Sequence, residues 1–108
     1  MANTFKLKTK ANVGVTTTTV YVVPNNTTTV VIGVTLANTT GSSINVGIGI
    51  NRGANDNVKL MKSVPIPQGS SFEFMSGNKI VLEATDTFVA ESDVNNSLDV
   101  ALTIMEIT

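Results

Sequence analysis

The sequence predicts an all-β domain, an antiparallel β-sandwich of about eight short strands with a jelly-roll or immunoglobulin-like topology. Three observations carry that expectation. Aliphatic and β-branched residues alternate with small or polar ones, the period of an extended chain with one face buried. Clusters of Asn, Asp, Gly and Pro break these runs at intervals of roughly 8 to 12 residues. No segment keeps a helical period of apolar residues over three turns.

Taken in order, the first strand falls at residues 4–10, where Phe5 and Leu7 alternate with Lys6, Lys8 and Lys10. Residues 12–16 form a loosely patterned connector. Residues 16–23, TTTTVYVV, are β-branched almost throughout and stop at Pro24, which has no N–H to give a ladder. The organising strand is TTTVVIGVTLA, residues 27–37, between the turn signals Pro24-Asn25-Asn26 and Asn38-Thr39-Thr40-Gly41. Strict alternation sets Val30, Ile32, Val34 and Leu36 on its aliphatic face and Val31, Gly33 and Thr35 on the other.

In INVGIGI, residues 44–50, Ile44, Val46, Ile48 and Ile50 share a face, and Gly47 and Gly49 leave the opposite face almost bare. Glycine inside a strand marks a bulge or crowded sheet packing, or here a flat face for a neighbouring subunit. A polar turn at residues 51–57 leads to a short strand at 58–61. SVPIPQ, residues 63–68, must be an extended edge or a crossover, because proline cannot serve a central strand. A strand at residues 71–75 puts Phe72 and Phe74 on one face, before a tight turn at 76–79 and a strand from 80 to 82. The turn ATDT, residues 84–87, precedes a strand at 88–90, and DVNNS, residues 93–97, is the last turn. The closing strand, residues 98–107, carries Leu98, Val100, Leu102 and Ile104 inward.

Residues 1–108 form one domain, long enough to bury roughly two-thirds of its unfolded surface. Residues 1–12, set off by the polar connector, are expected as an N-terminal arm that adds a strand to a neighbour's sheet edge. A net charge of −1 argues against a general nucleic-acid binder, which neutralises phosphates with a basic surface. Lys6, Lys8 and Lys10 make the one local basic run, read as a solvated edge that resists pairing with other sheets. The absence of cysteine removes disulfides and thiolate metal sites. No stretch approaches the ~20 apolar residues of a membrane span. Residues 1–6 show no apolar run of signal-peptide length, so the expectation is a protein made in a cytosol and soluble there.

Histidine is also absent, which excludes the Ser-His and Cys-His nucleophile systems. Two carboxylate pairs flank turns, Glu83 with Asp86 and Glu91 with Asp93. A glycosidase needs two such groups facing each other across a cleft, and turn carboxylates on sandwiches are ordinarily solvated, so no catalytic residue is expected. Asn51, Asn55, Asp56 and Asn57 form one oxygen-rich loop, and Asp93, Asn95 and Asn96 another. Calcium takes six to eight oxygens with several carboxylates, and each loop offers one acid, so both read as plain turns, with no metal or cofactor. The Asn-x-Thr/Ser triplets at Asn25, Asn26, Asn38 and Asn95 read as by-products of a Thr- and Asn-rich chain. Tyr21 is the sole tyrosine, and Phe5, Phe72, Phe74 and Phe88 are assigned to the core rather than to stacking on sugars or bases.

YVVPNNTTTVVIGVTLANTTGSS, VKLMKSVPIPQGSSFEF, GNKIVLEATDTFVAES and NSLDVALTIMEI together resemble small virion structural proteins of tailed bacteriophages, those of marine and cyanobacterial phages in particular. The resemblance spans about residues 20–107 and departs at Thr85, where it implies a glycine before Asp86. It implies a structural component of the particle, with no catalytic or cofactor residues. Within that class the expectation is a head decoration (cement) protein bound to the assembled capsid lattice. A neck, tail or fibre-attachment subunit is the alternative, and a carbohydrate- or receptor-binding module is one from a different class. The implied partners are major capsid or tail and neck subunits and further copies of the chain, a trimer at a lattice axis being natural. The implied location is the virion, after synthesis in the bacterial host cytoplasm.

Overall fold

Two antiparallel sheets face each other across one apolar layer in the computed structural model, which describes residues 2–53, 56–74 and 79–108. The strands are β1 (Asn3–Val13), β2 (Thr18–Val22), β3 (Thr28–Asn38), β4 (Ile44–Asn51), β5 (Asn57–Ile66), β6 (Ser71–Phe74), β7 (Ile80–Leu82), β8 (Thr87–Ser92) and β9 (Leu98–Ile107). The first sheet runs β1-β9-β3-β6, with β7 also on β3, and the second runs β2-β8-β4-β5. The all-β sandwich expected from the sequence is the fold. The turn expected at 76–79 lies, apart from Lys79, outside the described residues.

Strict alternation builds the core where it holds. In β9, Leu98, Val100, Leu102 and Ile104 are buried, and β4 buries Ile44, Val46, Ile48 and Ile50 against them across the layer. Phe88 on β8 is fully enclosed, as assigned.

β3 departs from strict alternation. Its register against β9 shifts between Val31 and Gly33, leaving Ile32 as the extra residue of a bulge. Val31, Val34 and Leu36 are therefore the buried face, while Val30 and Ile32 are half-buried. The expected face Val30-Ile32-Val34-Leu36 is correct only beyond the bulge, because one inserted residue exchanges the two sides of a strand.

Gly47 and Gly49 are buried beneath β5 and form no bare face for a neighbour. A methyl group on Gly49 would stand 2.6 Å from the Val58 carbonyl oxygen, and one on Gly47 would stand 3.1 Å from that of Met61. β5 comes this close because its register on β4 shifts twice, between Val46 and Ile48 and between Ile48 and Gly49. Ser63 in the same strand sits at φ 54°. The stretches 58–61 and 63–68 thus form one bulged strand through Ile66, at the edge of the second sheet.

Within residues 1–12, the expected arm, β1 lies along β9, paired from Asn3 with Ile107 to Lys10 with Val100. Ala2 and Thr108 exchange backbone hydrogen bonds of 3.1 and 3.0 Å beyond the last ladder pair.

Candidate assembly interface

Pairing with β9 decides where β1 sends its side chains. Lys6 and Lys8 stand beside the inward residues Ile104 and Leu102, and Phe5 and Leu7 beside Met105 and Thr103 on the outer face. The lysines therefore point into the edge of the sandwich and the apolar residues point out. Phe5 is 70% exposed and Leu7 63%, which corrects the assignment of Phe5 to the core. Phe72 pairs with the buried Leu36 yet remains 37% exposed at its sheet edge, and the side chain of Phe74 lies outside the description.

What receives the lysines is a buried polar tie between the sheets. Glu106 continues the inward parity of β9 and is buried. One of its oxygens meets Lys6 Nζ at 2.7 Å, and the other accepts from the Tyr21 hydroxyl at 2.5 Å. The same hydroxyl lies 2.8 Å from Thr29 Oγ1, and Lys8 Nζ stands 5.9 Å from the centre of the Tyr21 ring. The hydrogen bonds from Lys6 and then Tyr21 hold the Glu106 carboxyl below its ordinary pKa. Burial first, and then the bond to Glu106, pushes Tyr21 up to about 12. Tyr21 is thus a structural cross-tie, not a stacking platform. Charges turned inward at an edge also blunt it against pairing.

The outer face of the first sheet is apolar and nearly free of charge. Phe5, Met105, Val30 and Val81 stand in register across β1, β9, β3 and β7, one row of four apolar side chains. The next row is Leu7, Thr103 and Gly33, and the row after it Thr9, Ala101, Thr35 and, on β6, Glu73. Nothing lies within 4 Å of where a Gly33 side chain would begin, so that row is low. Beyond it a shallow groove of about 220 Å³ opens among Thr9, Ala11, Thr35, Ala37 and Ala101, with Lys10 and Asp99 also lining it. Sequence reading missed this face, and the signal lay in parity: once Leu102 and Ile104 are inward, their partners Lys8 and Lys6 must be inward too.

The candidate carboxylates are all engaged. Arg52 donates to Asp86 at 3.2 Å and to Glu83, and Asp86 accepts from the Glu83 backbone N–H at 2.9 Å, so this pair is a turn clamp. Glu91 holds Lys59 at 2.9 Å, and Asp93 accepts from the Asn45 backbone N–H at 2.9 Å. These acids are thus tied to cations and backbone, and neither pair faces across a cleft as the two carboxylates of a glycosidase do.

Of the oxygen-rich loops, Asn51 and Asn57 are paired strand ends, Asn95 accepts from the Val15 N–H at 3.4 Å, and Asn55 lies outside the described residues. Among the described residues no group of three or more Asp, Glu, His or Cys is placed to hold a metal. Asn38 is buried, its amide donating to the carbonyls of Ser42, Ile66 and Pro67, which closes it to glycosylation.

No protein-family model matches the chain, and no curated protein does. Among solved structures, the chain is similar in fold to one from Bacillus endospore appendages, described as a novel family of disulfide-linked pili. The TM-score is 0.59 at 14% identity, covering 99% of this chain and 87% of that one. This finding corrects the resemblance to tailed-phage virion proteins: the structural likeness runs to a pilus subunit. It overturns with it the decoration, neck and tail roles, the receptor-module alternative, the capsid and tail partners with the lattice trimer, and the virion location. The absence of cysteine also separates this chain from the disulfide linkage of those pili.

Proposed function

We propose that this chain is a structural subunit of a bacterial surface appendage, assembled outside the cell from many copies of the sandwich. The observation that carries the reading is the likeness of fold to a pilus subunit over nearly the whole chain. The apolar outer face and the engagement of the acids in internal ties support it, since both suit a building block better than a binding pocket. Without cysteine the copies hold together non-covalently, through buried apolar surface worth about 25 cal/mol per Å² and through backbone pairing.

The test is assembly of the purified chain. Negative-stain electron microscopy and light scattering over a concentration series should show filaments of uniform width, unchanged by dithiothreitol. A monomer at every concentration, with no filaments, overturns the reading.

A further inference from the structure

The three rows on the outer face of the first sheet are complementary to one another. Phe5 and Met105 are large, Leu7, Thr103 and Gly33 lie on a middle line, and Thr9 and Ala101 are small, while Val30 and Thr35 match in size and Glu73 ends the third row on β6. Turning a second copy by half a turn about an axis along the middle row, across the strands, brings β1 over β1, β9 over β9 and β3 over β3. The two large residues then face smaller ones, Phe5 over Thr9 and Met105 over Ala101, and Val30 lies over Thr35, which matches it in size. Thr9, Ala101 and Thr35 line the shallow groove of about 220 Å³.

The same rotation brings no like charges together. The ionisable side chain in the three rows is Glu73, at the β6 end of the third row, which comes opposite Val81 of the other copy, and Asp99 beside the groove comes opposite the Asn3–Ile107 pair. Alternating large and small positions is how facing layers interdigitate, and self-complementarity about a twofold axis defines an isologous contact.

We infer that this face pairs two copies of the chain about that axis. The inference rests on the appendage reading and deepens it, naming the surface by which one copy takes another. In a filament such pairs join two rows of subunits side by side, leaving the β2 and β5 edges of the second sheet for lengthwise contacts.

Because the chain lacks cysteine, a single introduced cysteine reports only contacts between copies. Thr103→Cys lies on the axis and is exposed, and Thr19→Cys is an exposed control on the other sheet. With a short bis-maleimide, Thr103→Cys should give at least tenfold more covalent dimer than Thr19→Cys. Adding Leu7→Asp, which sets two carboxylates against each other on the axis, should return the yield to the control level with the thermal midpoint retained. Equal yields from the two cysteines, in variants that unfold at the parent temperature, overturn the pairing. Filaments without the Thr103 cross-link defeat the pairing and leave the appendage reading standing. The cross-link without filaments does the reverse.

Discussion

Glu106 carries a charge where its strand neighbours carry only hydrocarbon, and its environment makes that charge conditional on pH. Its pKa is lowered in the fold from an ordinary 4.5, so its contribution to stability is complete above that value and is lost as the pH falls through the folded pKa. Tyr21 works in the opposite sense. Its pKa rises from 10.0 to about 12, so the stability it adds is present below pH 10 and is lost between there and about 12. Urea midpoints measured across pH should therefore fall at both ends. Tyr21→Phe should cost about 2 kcal/mol at neutral pH, the worth of a buried hydrogen bond to a charged group, and should flatten the alkaline limb. An unchanged alkaline limb in that variant would refute the cross-tie. Thr85 shows strain of another kind. This β-branched residue holds φ 71° in the turn that Asp86 clamps, where the side chain costs roughly 1–2 kcal/mol. Thr85→Gly should raise stability by about 0.5–1 kcal/mol, the strain relieved less the added freedom of the unfolded chain. Chemical denaturation reads this directly.

At the scale of strands, close approach separates two glycines of similar sequence context. Gly49→Ala forces β5 away from β4 and should cost about 2–3 kcal/mol, the usual penalty of overpacking. Gly33→Ala meets open space and should be neutral or stabilising by up to about 1 kcal/mol. Equal effects in thermal unfolding would argue against the bulged approach of β5. Strands also show where sequence reading succeeds. β4 and β9 keep one parity from end to end, so Ile44 to Ile50 and Leu98 to Ile104 declare their buried face. In β3 the extra residue at Ile32 leaves no mark on composition, since Val30, Val31 and Ile32 are equally apolar, and half the strand is assigned the wrong side. β1 misleads for another reason. Lysine stems can lie along an edge and deliver their charge to a buried acid, so an alternating Lys/Phe strand does not announce which side is inside.

At the scale of the molecule, β1 and β9 come from opposite ends of the chain and pair directly, and a single core joins both sheets. Unfolding should therefore be one cooperative transition. The fluorescence of Tyr21, the chain's one tyrosine and without tryptophan to mask it, should change at the same denaturant concentration as the far-ultraviolet circular dichroism. Separate midpoints would mean that the second sheet opens alone. Architecture was legible here because alternation and turn chemistry are demands of any two-sheet fold. Function was not legible for the same reason: Thr, Val and Asn placed for strands and turns serve two-sheet proteins of many kinds. The outer face became visible only when the strand pairing fixed the rows.

The hydrogen bonds between Ala2 and Thr108 bring the two ends of the chain to one corner of the sandwich. A short peptide bridge there would close the backbone into a ring without moving a strand. A label grafted to either end would leave from that same corner, at the opposite end of β9 from the groove beside Ala101. In the proposed pair that corner comes beside the groove of the other copy, so cargo attached there would stand against the pairing face.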